Sequence, residues 1–210
     1  MAAASSNKRH SILPPVQAGG PKPPVQFSSS ITIADSAILT GPHLIAIGSE
    51  SVIHPRARLE SQGGRLAIGR RCIVHERSTL GCAPANRPAL PSPVGLQTTD
   101  ASLPGVTLGD YVTVEVGAMV EAGNTIIGEG TTVGVGARVG KGAVVGRHCT
   151  LTPLTVIAPG DVVPEFTVVY SNGQRRTDRR GAAGLRNKGQ ARQIDVLRRM
   201  IPSNPGKFSQ

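Results

Sequence analysis

Residues 127–169 read IGEGTTVGVGARVGKGAVVGRHCTLTPLTVIAPGDVVPEFTVV, and an apolar residue returns in them at every sixth position. The series is Ile127, Val133, Val139, Val145, Leu151, Ile157, Val163 and Val169. Four residues after each of the first seven stands a small or short side chain: Thr131, Ala137, Ala143, Cys149, Thr155, Asp161 and Thr167. A period of six matches neither the 3.6 of a helix nor the simple alternation of an isolated strand. It predicts one short strand per hexapeptide followed by a tight turn, with three hexapeptides closing a triangular coil of about 18 residues. Side chains two apart share a strand face. The bulky member of each pair therefore fills the interior, and the small one leaves room for it. Gly128, Gly134, Gly140 and Gly146 directly follow the first four apolar residues and are expected to adopt the backbone angles of the corner. The chain reads as an all-β solenoid, a parallel β-helix.

The phase continues upstream in broken triples. Ile47, Ile53 and Leu59 form one, Ile68, Val74 and Leu80 a second, and Leu108, Val114 and Val120 a third, while Ile33 and Leu39 begin the series. Slips after Leu39, Leu59, Leu80 and at Ile126–Ile127 read as insertions at corners. Together the triples predict about seven coils, the first and last incomplete. At about 4.8 Å per coil the prism is on the order of 30 Å long.

Composition agrees. Aromatics are 2% of 210 residues, with no Trp, which suits an interior stacked from Val, Ile, Leu, Ala and Thr, while 26 Gly and 17 Pro suit a chain of turns. The predicted organisation is a Pro/Ser/Gly-rich disordered tail over 1–28 and a prism over 29–170 with an inserted Pro-rich loop at 81–105. A basic linker over 171–189, a helix over 190–202 and a tail over 203–210 follow. The helix carries Ile194, Leu197 and Ile201 on one stripe and stops at Pro202; the stripe is expected to lie along a face of the prism. The net charge of +10 lies in the tails: residues 173–210 hold ten basic and two acidic side chains, whereas 31–172 hold ten and eleven. Arg175, Arg176, Arg179 and Arg180 are its densest cluster. No stacking aromatics accompany them, so neither nucleic acid nor direct membrane insertion is expected. Cys72 and Cys149 occupy inward slots as free thiols and Cys82 opens the loop, a pattern of a reducing, cytoplasmic setting.

For chemistry, His54 and His75 follow equivalent apolar residues of successive coils, and Glu115 takes the corresponding place further on. A ladder along one face offers at most two neighbours to a single ion, so neither a metal nor any other cofactor is expected there. The repeat is similar to that of acyltransferases and of γ-class carbonic anhydrases. Segment 108–122, LGDYVTVEVGAMVEA, resembles the γ-class stretch carrying metal-binding histidines, yet the matching places hold Gly81, Val116 and Glu121. The long loop has no histidine to act as a general base. Catalytic residues are thus expected to be absent, and the chain is expected not to be an enzyme, with a γ-carbonic-anhydrase-like or hexapeptide acyltransferase homotrimer as the alternative.

The segments SVIHPRARLES, RLAIGRRCIVHERSTL, VTLGDYVTVEVGAMVEAGNTIIGEGTTVGVGARVG and LTPLTVIAPGDVVPEFTVVYSNGQRR, with the terminal IDVLRRMIP, resemble the dynactin subunit 6 family over residues 30–202. That resemblance implies a left-handed coil and a structural subunit of the dynactin pointed-end complex. It also implies dynactin subunit 5, an actin-related protein and dynactin subunit 4 as partners, the dynein motor as an indirect one, and a cytoplasmic, cytoskeleton-associated location. Open strand edges at a solenoid's ends invite another chain. The end-coil residues Ile33, Leu39, Val163 and Val169 and the helix residues Ile194, Leu197 and Ile201 are therefore the expected interface.

Overall fold

The computed structural model describes residues 22–83 and 105–208, and residues 1–21, 84–104 and 209–210 lie outside it. Most of the predicted N-terminal tail and of the inserted loop therefore falls outside the described residues. The chain forms a left-handed parallel β-helix with a single C-terminal helix, α1, over Ala183–Met200. Its three faces are parallel sheets. The first is built from Val25–Phe27, Ile45–Ile47, Leu66–Ile68, Val106–Leu108, Thr125–Ile127, Val144–Val145 and Val162–Val163, and consecutive members are three strands apart in the chain.

The interior follows from the six-residue phase. Ile53 pairs with Val74 and Val74 with Val114, and the third face registers Leu39 on Leu59 and Leu59 on Leu80. Every bulky residue of the series from Ile33 to Val169 is at most 9% exposed, and Thr131, Ala137, Ala143, Cys149 and Thr155 are fully buried beside them. All four slips fall at the corner between the third and first faces, where Leu39, Leu59, Leu80 and Val120 end one coil. The strands on either side keep their register, Leu66 on Val106 and Leu59 on Leu80, so the insertions do not shift the stack.

The corner glycines do something other than the sequence reading expects. Gly128, Gly134, Gly140 and Gly146 have no left-handed backbone; those angles fall two residues later, at Gly130, Gly136 and Gly142. The first set is needed for close approach between coils. A Cβ on Gly69 would lie 2.5 Å from the carbonyl oxygen of Gly109, and one on Gly128 2.6 Å from the carbonyl carbon of Gly146.

The boundaries differ at both termini. The prism starts at Val25, because Phe27 fills the inward place six residues before Ile33. The segment 171–189 is more than a linker: Arg175–Thr177 pairs antiparallel with Thr167–Val169, and the helix begins at Ala183. Residues 203–208 seal the lower end. Ile33 N–H donates to Ser203 Oγ at 3.0 Å, Asn204 N–H to the Ile33 carbonyl at 3.1 Å, Lys207 pairs with Asp35 at 3.2 Å, and Phe208 packs on the core with Val25 and Phe27.

Helix α1 runs back along the second face. Arg186 Nη1 donates to Thr150 Oγ1 at 3.2 Å, and Gln190 Nε2 to the Arg71 carbonyl at 2.9 Å. Ile194, 1% exposed, is clamped by Val52 and Ile73, with Leu197 and Ile201 beside it. At 1.5 Å per residue an 18-residue helix is about 27 Å long, close to the length of the prism. Among the described residues no helix is long and apolar enough to cross a membrane.

Candidate functional site

The corner between the second and third faces collects the titratable groups singled out above. His54 N–H donates to the Val74 carbonyl, His75 N–H to that of Val114, and Glu115 N–H to that of Val133, each at 2.8–2.9 Å. The three side chains therefore leave the backbone at one register position in three successive coils. Two residues past each histidine the chain turns through left-handed Arg56 and Arg77, and the turn after Glu115 uses Gly117.

The two imidazoles meet, their centroids 4.5 Å apart and their planes tilted by 33°. Both are half-buried. Burial pushes the His54 pKa below its ordinary value, and the neighbouring His75 pushes the same way against an opposing pull from Glu76. Burial also lowers that of His75, against Glu115 and Glu76. Both shifts favour the uncharged form of the rings. Nε2 of His54 is buried and has no hydrogen-bond partner among the described residues. Glu115 is turned away, its Oε2 accepting from Val135 N–H in the next coil at 2.9 Å. The column is thus a pair of facing rings with a carboxylate bound elsewhere. Among the described residues no group of three or more His, Cys, Asp or Glu is placed to hold a metal ion. Chemically, a neutral imidazole is a proton acceptor.

The remaining predicted residues are accounted for by packing. Ile33, Val163, Val169 and Ile194 are at most 1% exposed and Leu39 is 9% exposed, all within this chain's own core, and Leu197 and Ile201 lie against it. Their side chains fill the interior and the seat of the helix. The exposed apolar groups of the upper end are their neighbours Leu154, Val156 and Val162, each more than 60% exposed. The thiols are buried and favoured in their protonated form: burial pushes Cys72 up to about 12 and Cys82 to about 11, and raises Cys149. Cys72 Sγ donates to the Gly109 carbonyl at 3.1 Å. Positions 81, 116 and 121 hold no ligand set. Gly81 is left-handed and pressed on the Glu60 carbonyl, Val116 faces solvent, and Glu121 Oε2 accepts from Lys141 N–H at 3.0 Å.

No family model matches the chain, and no curated protein matches it. Solved structures do. The hexapeptide transferase family protein from Anaplasma phagocytophilum is 15% identical, with a TM-score of 0.65 over 83% of this chain and 91% of that one. A putative acetyltransferase from Bacillus cereus is 18% identical, with a TM-score of 0.63 over 84% and 92%. At such identities the likeness establishes the architecture. It also overturns the expectation that the chain is not an enzyme, since this architecture, end to end, is one that proteins described as transferases use. The absence of histidine at positions 81, 116 and 121 excludes one particular metal site and carries no weight against acyl transfer.

Proposed function

We propose that this chain is a hexapeptide-repeat protein of the acyltransferase kind, in which the His54–His75 pair supplies the general base. The observation that carries the reading is the half-buried ring pair, 4.5 Å between centroids, held at one corner by the coil register, where burial favours the uncharged imidazole. Acyl transfer from a thioester needs a group that takes the proton of an attacking hydroxyl or amine as the tetrahedral intermediate forms and returns it to the departing thiolate. An imidazole that is uncharged at neutral pH does both. His75 serves as the base, and His54, packed on its face, fixes the ring. The reading is tested by mixing the protein with acetyl-CoA and a panel of small alcohols and amines while following free thiol. Wild type is expected to release thiol, and His75→Gln to lose about 10²-fold or more of that rate with its melting temperature kept. Equal rates in the two proteins refute it.

A second reading is favoured by the open strand edges at the end of the prism. At the upper end Arg175–Thr177 covers the second face, and the edges of Val156–Ile157 and Val162–Val163 have no further strand among the described residues. An edge of this kind accepts a second β-helix end-on. This supports the assembly that the sequence resemblance implies: a place in the dynactin pointed-end complex, with dynactin subunit 5 on the open end and the actin-related protein and dynactin subunit 4 nearby. Affinity purification from native extract, read by mass spectrometry, decides it. Recovery of those subunits supports the reading, and their absence removes it.

A further inference from the structure

The uppermost part of the second face carries a cleft that neither reading uses. It has a volume of about 710 Å³ and is lined by Thr150, Val168, Tyr170 and the run from Arg175 to Arg180. The strand Arg175–Thr177, hydrogen-bonded to Thr167–Val169, forms one wall, and Arg176 registers on Val168.

The charges around the cleft divide into two sets. Arg175 is bound to Asp161 and to the Val162 carbonyl, while Arg180 and Arg186 both hold Asp178. Arg176 and Arg179 have no ion pair or side-chain hydrogen bond among the described residues, and both are exposed. Two arginines therefore line one concave surface with no carboxylate of their own, since the Asp178 of the cleft is bound by Arg180 and Arg186. Helix α1 starts just beyond it with no acidic residue in its first turn and no side-chain cap, which adds partial positive charge nearby.

We infer that this cleft binds a nucleotide-sized organic phosphate, with Arg176 and Arg179 on the phosphate and Tyr170 against the flat body of the ligand. The two guanidiniums are the reason for phosphate. A carboxylate is satisfied by one planar fork, whereas a phosphate offers oxygens on several sides and accepts from two forks together with hydroxyl donors such as Thr150 and Thr177. The volume is the reason for a body: it lies in the range of small-molecule sites and far exceeds one phosphate. Tyr170, 39% exposed, gives that body a ring on which to stack. The inference does not depend on acyl transfer, because the cleft lies four coils above His75 along the second face.

The probe is ADP, titrated calorimetrically into the full chain at low ionic strength, with adenosine, inorganic phosphate and a poly-glutamate peptide in parallel. ADP is expected to bind, more weakly as salt rises, and adenosine and phosphate at least about tenfold more weakly than ADP. Arg176→Gln/Arg179→Gln is expected to weaken ADP by about 10²-fold, and Arg176→Lys/Arg179→Lys by less, since charge stays and the fork is lost. Arg147→Gln, at an arginine paired with Glu165 on another corner, is expected to bind as wild type does. Unchanged melting temperatures establish that the variants are folded. Absence of ADP binding, equal binding by the Arg176/Arg179 variant, phosphate binding as tight as ADP, or displacement of ADP by poly-glutamate at lower concentration each overturns the inference; the last makes the cleft a site for acidic protein segments.

Discussion

Replacing Ile194 by alanine separates what holds the helix from what holds the prism. The side chain is 1% exposed and sits between Val52 and Ile73 on the outer side of the second face. Isoleucine loses three carbons on becoming alanine. At about 0.8 kcal/mol per buried methylene or methyl that is roughly 2.4 kcal/mol of transfer free energy, and the cavity left behind takes the total to about 3 kcal/mol. An isolated helix of this length is marginal in water, and its other anchors are the partly buried Leu197 and Ile201 and the bonds from Gln190 and Arg186. The loss should therefore appear as undocking. Amide hydrogen exchange read residue by residue is the assay: a 3 kcal/mol change speeds exchange across 190–200 by about 10²-fold. Prism amides such as those of Val133, Val139 and Val145 should be unaffected. Unchanged exchange in the helix, or equal acceleration in helix and prism, would refute the reasoning that the helix is a separately docked element.

Four further outcomes follow from the same geometry. Val139→Asp places a carboxylate in a fully buried stack with no partner and should leave the protein insoluble or unfolded, read by circular dichroism; a cooperative melt at the wild-type temperature would contradict the inward assignment. Gly69→Ala should cost about 1–3 kcal/mol in urea unfolding, because the new Cβ meets the Gly109 carbonyl at 2.5 Å; no change in midpoint would show that the coils have slack. Burial lowers the pKa of both His54 and His75, so near and below pH 6.5 the unfolded chain binds more protons than the folded one. Stability should accordingly be intact above about pH 7 and fall as the pH drops toward 5, and His54→Gln/His75→Gln should flatten that slope in pH-dependent melting; an unaltered slope removes the histidines as its cause. Phe208→Ala should loosen the first coil, speeding exchange at Ile33 and at its bonded neighbour Asn204 more than at Val145; uniform exchange would mean that the lower end needs no seal.

How much was legible in the sequence depends on whether a residue is set by the repeat. The inward columns, the corner holding all four slips and the stacking of His54, His75 and Glu115 follow from counting in sixes, because each coil dictates the register of the next. Phe27 obeys the same count, yet the prolines around it conceal the first strand. The start of the helix is hidden because Gly184 and Gly189 are poor helix formers; docking on the second face overrides them. The sealing of the lower end by residues 203–208 depends on contacts across some 170 positions, beyond any local pattern. The expected interface residues are apolar and lie near the ends. In a solenoid such residues point inward, and the end surface belongs to outward neighbours such as Val156 and Val162. The side to which the Glu115 carboxylate turns is likewise a side-chain choice that register leaves open.

The neutral imidazole pair is tested most directly by following the His54 and His75 ring resonances by nitrogen-15 NMR across pH 4.5–8.5. Both rings are predicted to titrate below the ordinary histidine value of about 6.5 and to be uncharged at pH 7. Titration of either ring at or above that value would contradict the account and remove the base from the proposed reaction.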